Sequence, residues 1–583
     1  MKAGGGGGSP AKLESVSLSP TLDIPASEPE TKRPTVGFVS LGCPKNLVDS
    51  EVMMGLLHRG GAQLTPRAED ADILVVNTCS FIDSAKQESV DTILEMVQHK
   101  IANGGRAQKL IVAGCLVERY RDEIRKNIPE VDAVVGTGEL EAILEAAGLN
   151  QPTSTSPFAI LTTAQIERHA SSVNQHSRPD GTGAQIIHES HSTELSSRPE
   201  RSEVERPAVG TRAEGNLREQ QGRFSREAWD GATAALPNYL YSDETPRILT
   251  TPRSSAYIKI AEGCDHPCSF CIIPQLRGKF RSRRFESVVS EAQNLAAAGV
   301  REISLIGQDT TYYGEDLGLR DGLPTLLERL AQIEDLHWIR FLYCYPNRVT
   351  TKLLETIAAH PRLAKYLDIP LQHASRNVLA RMKRGSNGDA FLKMLDKIRK
   401  TIPGVSIRTS FIVGFPGETE QDFRQLCDFV RAAEFDWMGV FSYSDEDAAK
   451  SFALDDKIDA KTIARRKNAL MALQKAISKR KLRGKVGQRL QVMLEGPSKD
   501  TDLIWEARHQ GMAPEIDGKV YITEFAGVND AADLPAPGTL ATIEITETKD
   551  YDLIGRVVEF EAPPVAAQIP PPAKALFPIL ASR

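Results

Sequence analysis

Residues 262–271, EGCDHPCSFC, place three cysteines in a short loop that directly follows a predicted β-strand. The spacing of Cys264, Cys268 and Cys271 predicts three thiolates on one 4Fe–4S cluster, whose fourth iron then has no protein ligand. A simple electron-transfer cluster uses four cysteines, so an open iron indicates that a small molecule binds there. A zinc site or three unrelated thiols are the alternatives, although structural zinc sites usually combine two paired C-x2-C units.

The sequence after this loop alternates between short apolar segments and amphipathic helical patterns. Six strand candidates occur in this part of the chain: AYIKIAEG, REISLIG, WIRFLYC, KYLDIPL, VSIRTSFIVG and WMGVFSY. The alternation predicts a partial (β/α)6 barrel over residues 251–482, which ends in a charged helical segment. The cysteine loop then lies at the carboxyl end of the first barrel strand, where enzymes of barrel type carry out their chemistry.

A second group of cysteines lies upstream, in a segment with the same alternation. The apolar segments TVGFVSL, ADILVVN and KLIVAG predict a parallel α/β sheet over residues 34–150. Cys43, Cys79 and Cys115 each follow one of these strands, at the end where helices begin. One such cysteine would usually be a small core residue. Three at equivalent positions favour a second three-thiolate 4Fe–4S cluster, because open α/β sheets bind ligands at this edge.

The remaining segments differ in composition. Alternating apolar residues in RLQVMLEG, GKVYITE and TLATIEIT predict a small antiparallel β-barrel over residues 483–560. Residues 1–33 predict a disordered leader, residues 151–250 a low-complexity linker, and residues 561–583 an extended proline-rich tail. The expected fold class is therefore a multidomain α/β protein.

Composition and charge limit the class of protein. The chain has 583 residues, of which 25% are charged and 41% hydrophobic, and its net charge is −6. These values are ordinary for a globular protein. The sequence shows no signal-peptide pattern and no run of about 18 apolar residues, so we expect a cytoplasmic protein without membrane contact. Cys344 and Cys427 are interpreted as buried packing residues, since disulfides are rare in a reducing compartment.

Together these parts resemble the methylthiotransferase family of the radical S-adenosylmethionine (SAM) superfamily. Cys264, Cys268 and Cys271, with Phe270 before the last cysteine, match the superfamily signature. The upstream cysteines and the terminal β-domain, called TRAM, extend the resemblance over nearly all of residues 34–560. It implies two 4Fe–4S clusters, one that binds SAM and generates a radical and one that holds the sulfur. The implied reaction is insertion of a methylthio group into an unactivated C–H bond.

Several residues at the ends of barrel strands are candidates for the SAM pocket. They are Phe270, Gln308, Gly414, Gly417 and Glu418. Glycines at a strand end let the backbone approach a ligand closely, although a structural turn explains Gly414 and Gly417 equally well. Gln372 and His373 also end a strand, and hydrogen-bonded core residues are the alternative interpretation.

The motif around Cys43 indicates which branch of the family the chain resembles. One branch modifies a tRNA adenosine, and the other modifies an aspartate of small-subunit ribosomal protein uS12. SLGCPKNLVDSE (40–51), PLQHAS (370–375) and RTSFIVGFPGE (408–418) resemble the ribosomal-protein branch. The tRNA branch typically carries GCQMN at the first of these motifs. The segment 151–250 is longer than the connection usual in the family, which leaves open how close the two cysteine sets lie.

Charge supports the same interpretation independently. Residues 483–560 hold fourteen acidic and eight basic side chains. RNA affinity depends largely on cationic contacts to phosphate, so this segment is poorly suited to tRNA and better suited to a basic ribosomal protein. We expect uS12 as the partner, an electron donor such as flavodoxin or ferredoxin, and no stable nucleic-acid binding. A tRNA-modifying enzyme, a non-catalytic iron–sulfur scaffold or electron carrier, and a merely solvated acidic surface are the alternatives.

Overall fold

The computed structural model describes residues 33–149, 160–161, 237–252, 254–501, 503–526 and 534–561. The predicted leader lies outside the described residues, apart from Arg33. The predicted linker also lies outside them, apart from residues 160–161 and 237–250, and so does the predicted tail after Glu561.

The N-terminal domain is built on a five-stranded parallel sheet. Its strands are β1 (Thr35–Ser40), β2 (Gln63–Thr65), β3 (Ile73–Thr78), β4 (Lys109–Gly114) and β5 (Ala133–Val135). Their order is β2–β1–β3–β4–β5, and every pairing is parallel. The three predicted strands are the central ones. β3 is buried along its whole length, as an unbroken apolar segment predicts for a strand covered on both faces.

Helices follow the strands of this sheet. They are α1 (Pro44–Arg59), α2 (Asp83–Val97), α3 (Cys115–Asn127) and α4 (Ile143–Ala147). α1 begins with a proline, whose fixed φ and missing N–H suit the first helical position. Nearly all of α1 is buried, because it packs on the sheet and also contacts the first strand of the next domain.

The described end of the predicted linker is packed rather than solvated. β6 (Ile160–Leu161) pairs with β7 (Arg247–Ile248). Arg247 is buried and bonded to Glu51 of α1 at 2.6 Å and to Glu291 at 2.7 Å. The part of the predicted linker that contains Arg247 is therefore held between the domains by two buried carboxylates.

The central domain is a partial barrel, as predicted. Its strands are β8 (Ser255–Lys259), β11 (Glu302–Ile306), β12 (Trp338–Phe341), β13 (Tyr366–Asp368), β14 (Ser406–Val413) and β15 (Trp437–Ser442), and a short antiparallel pair, β9 (Ala261–Glu262) and β10 (Arg281–Ser282), lies beside the first. The six barrel strands form two parallel sheets, β12–β11–β8 and β13–β14–β15. A parallel bridge between Ile339 and Leu363 joins the two sheets.

The barrel helices pack their apolar faces against these strands. They are α5 (Ile273–Arg277), α6 (Phe285–Ala297), α7 (Gly322–Leu330), α8 (Thr351–Ala359), α9 (Arg376–Arg381), α10 (Gly388–Thr401), α11 (Glu420–Ala433) and α12 (Ala460–Arg483). α11 starts with a capping box between Thr419 and Asp422, which satisfies two backbone donors of its first turn. Among the described residues, no helix is both long and apolar enough to cross a membrane.

The C-terminal domain is a closed five-stranded barrel. Its strands are β16 (Arg489–Pro497), β17 (Trp505–Arg508), β18 (Val520–Phe525), β19 (Leu540–Thr548) and β20 (Leu553–Phe560). Four pairings are antiparallel, as predicted, but β18 and β20 run parallel. A closed ring with an odd number of strands cannot alternate direction at every pairing, so one parallel pair is unavoidable.

The loop between β17 and β18 joins this domain to the central barrel. It contacts side chains at the amino-terminal ends of the barrel strands. Tyr257 donates to the Pro514 carbonyl at 3.2 Å, and the Trp437 indole donates to the Gly511 carbonyl at 2.8 Å. The opposite, carboxyl-terminal end of the barrel faces the N-terminal domain.

Candidate metal centres and active site

The three upstream cysteines come together at one edge of the N-terminal sheet. Cys43 caps α1 after β1, Cys79 directly follows β3, and Cys115 begins α3 after β4. These strands are neighbours, so their carboxyl ends meet. Burial raises the pKa of Cys79 to about 12, and the nearby Cys115 and Cys43 thiols act in the same direction. The three thiols therefore lie within electrostatic reach of one another, as the sequence predicted.

Glycines make this close approach possible. Gly42 has φ +91°, and a Cβ atom there would lie 2.9 Å from Cys79 Cβ and 3.2 Å from its Sγ. Gly114 has φ +95°, and a Cβ atom there would lie 2.6 Å from the Thr78 carbonyl oxygen. Both positions combine a left-handed backbone with close packing, which only glycine accommodates without strain.

Positive charge surrounds the upstream thiols. Arg277, from the barrel, donates to Cys115 Sγ at 3.5 Å and to Asn46 Oδ1 at 2.7 Å. Burial acts to raise the pKa of Cys43, but the charges of Lys45 and Arg277 outweigh it, and the pKa is lowered overall. Cations near thiols favour the thiolate form that binds metal.

The second cysteine set lies on the loop between β9 and α5. The Cys271 N–H donates to the Cys268 carbonyl at 3.3 Å, and the Cys264 N–H donates to the Gly278 carbonyl at 3.2 Å. Burial raises the pKa of Cys264 to about 11 and that of Cys271 to about 12, and the thiol of Cys268 contributes to both increases. As predicted, the three thiols share one loop at the carboxyl end of the first barrel strand.

Residues that the sequence analysis did not single out hold this loop. Arg384 donates to Cys268 Sγ at 3.7 Å and lies over the Tyr345 ring. His266 stacks on Tyr345 with ring centroids 3.8 Å apart, and its Nε2 lies 2.6 Å from Asp309 Oδ2. Asp309 and Tyr345 follow barrel strands, and His266 lies within the cysteine motif. These positions in the sequence could have identified the three residues as candidates for the site. Nothing local in the sequence points to Arg384.

The two cysteine sets lie close together across the domain boundary. Cys115 packs with Ile272, Leu276 and Ala449, and Ile272 directly follows Cys271. Arg277, which bonds Cys115, ends the short helix α5 that begins two residues after Cys271. The length of the segment 151–250 therefore does not separate the two sets.

The candidate SAM-pocket residues have mixed environments. Phe270 packs against Val378, Met382 and Phe415. Gln308 donates to Glu262 at 2.9 Å, and its own Oε1 is buried without a partner among the described residues. A buried acceptor of this kind is available to a ligand.

Glu418 folds back onto its own turn instead. Its carboxylate accepts a hydrogen bond from the Gly414 N–H, and its Oε1 lies 3.7 Å from Nε2 of the buried His373. Gly417 has φ +80°, and a Cβ atom there would meet the Arg381 guanidinium. The turn accounts for part of these contacts, but Glu418 also pairs with Arg466 at 3.5 Å, and its Oε1 is buried without a hydrogen-bond partner among the described residues. Gln372, the neighbour of His373, has φ +71°.

The other two cysteines pack against the barrel core, but only Cys344 is buried as predicted. Cys344 is buried in the barrel core, where burial raises its pKa well above the ordinary value. Cys427, on α11, is half-buried against the same core.

Two sets of three free thiols form a donor set that fits iron–sulfur clusters. All eight cysteines are free, and no three His, Cys, Asp or Glu side chains in the described ranges are placed to hold a single metal ion. Soft thiolates are the ligands of iron–sulfur clusters. Binding of iron would remove the thiol protons that burial retains. The residues present therefore fit two clusters, and the open acceptor of Gln308 fits a ligand beside the barrel set.

Comparison with known proteins agrees with this architecture. Residues 35–136 match the Uncharacterized protein family UPF0004, residues 258–430 match the Radical SAM superfamily, and residues 486–558 match the TRAM domain. Among solved structures, the chain is similar to the radical SAM methyltransferase TsrM of Kitasatospora setae, with 15% identity and a TM-score of 0.41. That match covers 70% of this chain and 75% of TsrM.

Curated relatives are much more similar in sequence. The ribosomal protein uS12 methylthiotransferase RimO of Koribacter versatilis is 62% identical, over 91% of this chain and 98% of the relative. RimO of Solibacter usitatus is 53% identical, over 90% of this chain and 94% of the relative. With a radical SAM barrel, a TRAM domain and relatives of this similarity over nearly their full length, the chain belongs to the RimO family of radical SAM methylthiotransferases.

Proposed function

We propose that this chain adds a methylthio group to the β-carbon of an aspartate in ribosomal protein uS12. The observation that carries the proposal is the convergence of two cysteine triplets, one from each domain, at a shared boundary. Family membership gives the reaction class and its cofactors, SAM and two 4Fe–4S clusters. The roles of individual residues are our own assignment.

Cys264, Cys268 and Cys271 hold the cluster to which SAM binds. When bound there, the cluster and SAM would supply the radical chemistry that removes a hydrogen atom from the substrate. The chain positions this loop through Arg384 and through the contact of His266 with Asp309. Three thiolates rather than four would leave this cluster able to bind SAM.

Cys43, Cys79 and Cys115 would hold the second cluster, which would supply the sulfur. Arg277 bonds this site to the barrel loop, and Gly42 and Gly114 allow close packing at the strand ends that carry the cysteines. Closeness of the two sites is what the chemistry requires, because the carbon that loses its hydrogen must receive sulfur before water or another donor reaches it.

The acidic C-terminal domain supports a basic protein as the substrate. Some of its carboxylates are neutralised internally, for example Glu495 by Arg508 and Glu506 by Lys519. Others project from the strands without an ion pair among the described residues. These are Glu524, Glu547 and Glu559. An exposed surface of this sign attracts a cationic ribosomal protein and disfavours phosphate.

We further propose a cytoplasmic setting, with a flavodoxin or ferredoxin as the electron donor and no stable binding of nucleic acid. The free cysteines support the cytoplasmic setting, and the need for a low-potential reductant supports a flavodoxin or ferredoxin as the electron donor. The acidic terminal domain supports the third.

A side-by-side assay tests the substrate. The anaerobically reconstituted enzyme, with dithionite and SAM, is offered purified uS12 and tRNA, and the products are analysed by mass spectrometry. We expect one methylthio group on uS12 and none on tRNA. Modification of tRNA alone would contradict the proposal, and the absence of any SAM cleavage would indicate the non-catalytic alternative.

Single cysteine variants separate the two sites. Cys268→Ala should abolish SAM cleavage, because it removes a ligand of the SAM-binding cluster. Cys79→Ala should retain SAM cleavage but lose methylthio transfer. Cys427→Ala is the matched control, since its thiol belongs to neither set, and it should retain both activities. Full transfer by Cys79→Ala would contradict the assignment of the upstream cluster.

A further inference from the structure

Lys45 is a buried cation that forms no ion pair with a carboxylate among the described residues. Its residue is 7% exposed. Its Nζ donates to the Gly307 carbonyl at 3.3 Å and lies 3.6 Å from the centroid of the Tyr343 ring. Among the described residues it forms no ion pair, and no hydrogen bond joins it to the Cys43 sulfur. Its charge favours the thiolate form of Cys43, but no carboxylate neutralises it, and burying such an ammonium is costly.

The other cations at this boundary are balanced. Lys259 is bonded to Asp49 and, at 2.6 Å, to Glu262. Arg277 pairs with the same two carboxylates, at 2.8 and 3.1 Å. Lys45 forms no ion pair with a carboxylate in the described part of the chain, whereas Lys259 and Arg277 share Asp49 and Glu262.

The ammonium lies where the two proposed cluster sites face each other. Lys45 is two residues from Cys43, while Gly307 and Tyr343 directly follow or lie near the carboxyl ends of the barrel strands β11 and β12. Tyr343 has φ +65°, a strained value for a non-glycine residue, and such strain is common at functional sites. Its ring forms one wall beside the ammonium.

We propose that Lys45 binds the side-chain carboxylate of the target aspartate. The inference rests on the proposed function and adds the group that recognises the substrate. The carboxylate is one bond from the β-carbon that receives sulfur, so holding it next to Cys43 places that carbon between the two sites. Lys45 is thus a specificity-determining residue.

Binding measurements test this inference without turnover. The cluster-loaded enzyme is titrated, in the absence of SAM, with uS12 and with a uS12 variant whose target aspartate is asparagine. The wild type should prefer aspartate by roughly ten- to hundredfold, the usual contribution of a hydrogen bond to a charged group. Lys45→Met keeps the length of the side chain and should remove this preference, whereas Lys45→Arg keeps the charge and should retain most of it.

Lys100→Met is the matched control. Lys100 belongs to the same domain but pairs with Asp132 near the amino-terminal end of the sheet, away from the cysteines. This variant should bind both forms of uS12 as the wild type does. Iron content and the electron paramagnetic resonance (EPR) spectrum of every variant are recorded, to confirm that the clusters are present.

The outcomes distinguish the inference from the function on which it rests. If Lys45→Met keeps the aspartate preference, or if only its EPR spectrum changes, the inference is wrong while methylthio transfer to uS12 still stands. If the wild type transfers nothing to uS12, the proposed function fails. Loss of preference in Lys45→Met, with recovery in Lys45→Arg, would support the inference.

Discussion

Arg277 and Lys45 are two cations buried at the same domain boundary. Their contacts differ, which indicates different roles. Arg277 is bonded to Asp49, Glu262 and Cys115, so its charge is used within the protein. Lys45 contacts a carbonyl and an aromatic ring and forms no ion pair with a carboxylate among the described residues. At the scale of single residues, a buried charge whose partners are all within the protein has a structural role. A buried charge that lacks such partners is a candidate for binding a ligand.

His509 shows how a single buried residue sets the acid stability of the C-terminal domain. Burial lowers its pKa to about 3, and the charges of Lys485, Arg340 and Arg508 act in the same direction. Its Nδ1 accepts a hydrogen bond from the Gly511 N–H at 3.0 Å. The folded protein therefore keeps this imidazole neutral, while the unfolded chain protonates it near its ordinary pKa of about 6.5.

We expect this histidine to make the protein sensitive to acid. Between pH 6.5 and pH 3 the unfolded state binds one more proton at this site, so the free energy of unfolding falls as pH falls, by about 1.4 kcal/mol per pH unit. His509→Gln should show a shallower loss than the wild type when urea unfolding is followed from pH 7 to pH 5. His99→Gln, at a partly exposed histidine, is the control. Identical pH profiles for the wild type and His509→Gln would contradict the prediction.

At the scale of elements, a glycine precedes a cysteine at three of the strand ends that form the sites. Gly42 precedes Cys43, Gly114 precedes Cys115, and the third pair is on the barrel loop, where a Cβ atom on Gly263 would lie 2.0 Å from the Lys279 carbonyl oxygen. All three glycines have positive φ. The strand-to-loop turns therefore need glycine both for their conformation and for their packing.

Gly42→Ala should disrupt the upstream site alone. The added methyl group would push against Cys79, so we expect the iron content of the reconstituted protein to fall by about half, while SAM cleavage at the barrel set continues. Iron analysis and an assay for 5′-deoxyadenosine measure the two effects.

Gly104→Ala separates the clash from simple backbone strain. Gly104 has φ +86° in the same domain, but a Cβ atom there would have nothing within 4 Å. The Gly104→Ala variant should lose only roughly 1–2 kcal/mol of folding stability through backbone strain and should keep its full iron content. Normal iron content in Gly42→Ala would show that the upstream loop tolerates the clash.

At the scale of the whole molecule, buried ion pairs join the domains into one body. Glu302, on barrel strand β11, bonds both Arg340 of β12 and Arg508 of the terminal barrel, and all three side chains are almost completely buried. On the other side, Arg119 of the N-terminal domain pairs with Glu446 and Asp447 beyond the last barrel strand. The terminal barrel is thus fixed at the end opposite to the cysteines.

Arg508→Met should loosen the terminal barrel. It leaves Glu495 without its partner and Glu302 with one cation instead of two, and breaking a buried pair in this way costs about 3–5 kcal/mol. Hydrogen–deuterium exchange should accelerate across β16–β20. Arg556→Met removes an exposed pair with Glu544 and should cost at most about 1 kcal/mol. Equal protection in both variants would contradict a structural role for the buried pair.

Much of this architecture was predictable because it depends on local patterns in the sequence. Apolar segments of strand length, each followed by a helical pattern, determine parallel α/β units, and the position of a cysteine after a strand determines the edge at which it lies. The six cysteines, the partial barrel and the terminal β-domain follow from such patterns. The parallel pair β18–β20 was missed because it depends on closing a five-stranded ring, which no single segment encodes.

The sequence by itself determined the fold class, the two cysteine triplets and the branch of the family, since each depends on spacing within a few tens of residues. Only the tertiary structure decided which charged groups meet the cysteines. Arg277 and Cys115 are 162 residues apart, and Lys45 and Gly307 are 262 apart. Pairings over such distances arise from how whole domains pack, because a buried charge gains its partner, or lacks one, only when separate elements come together.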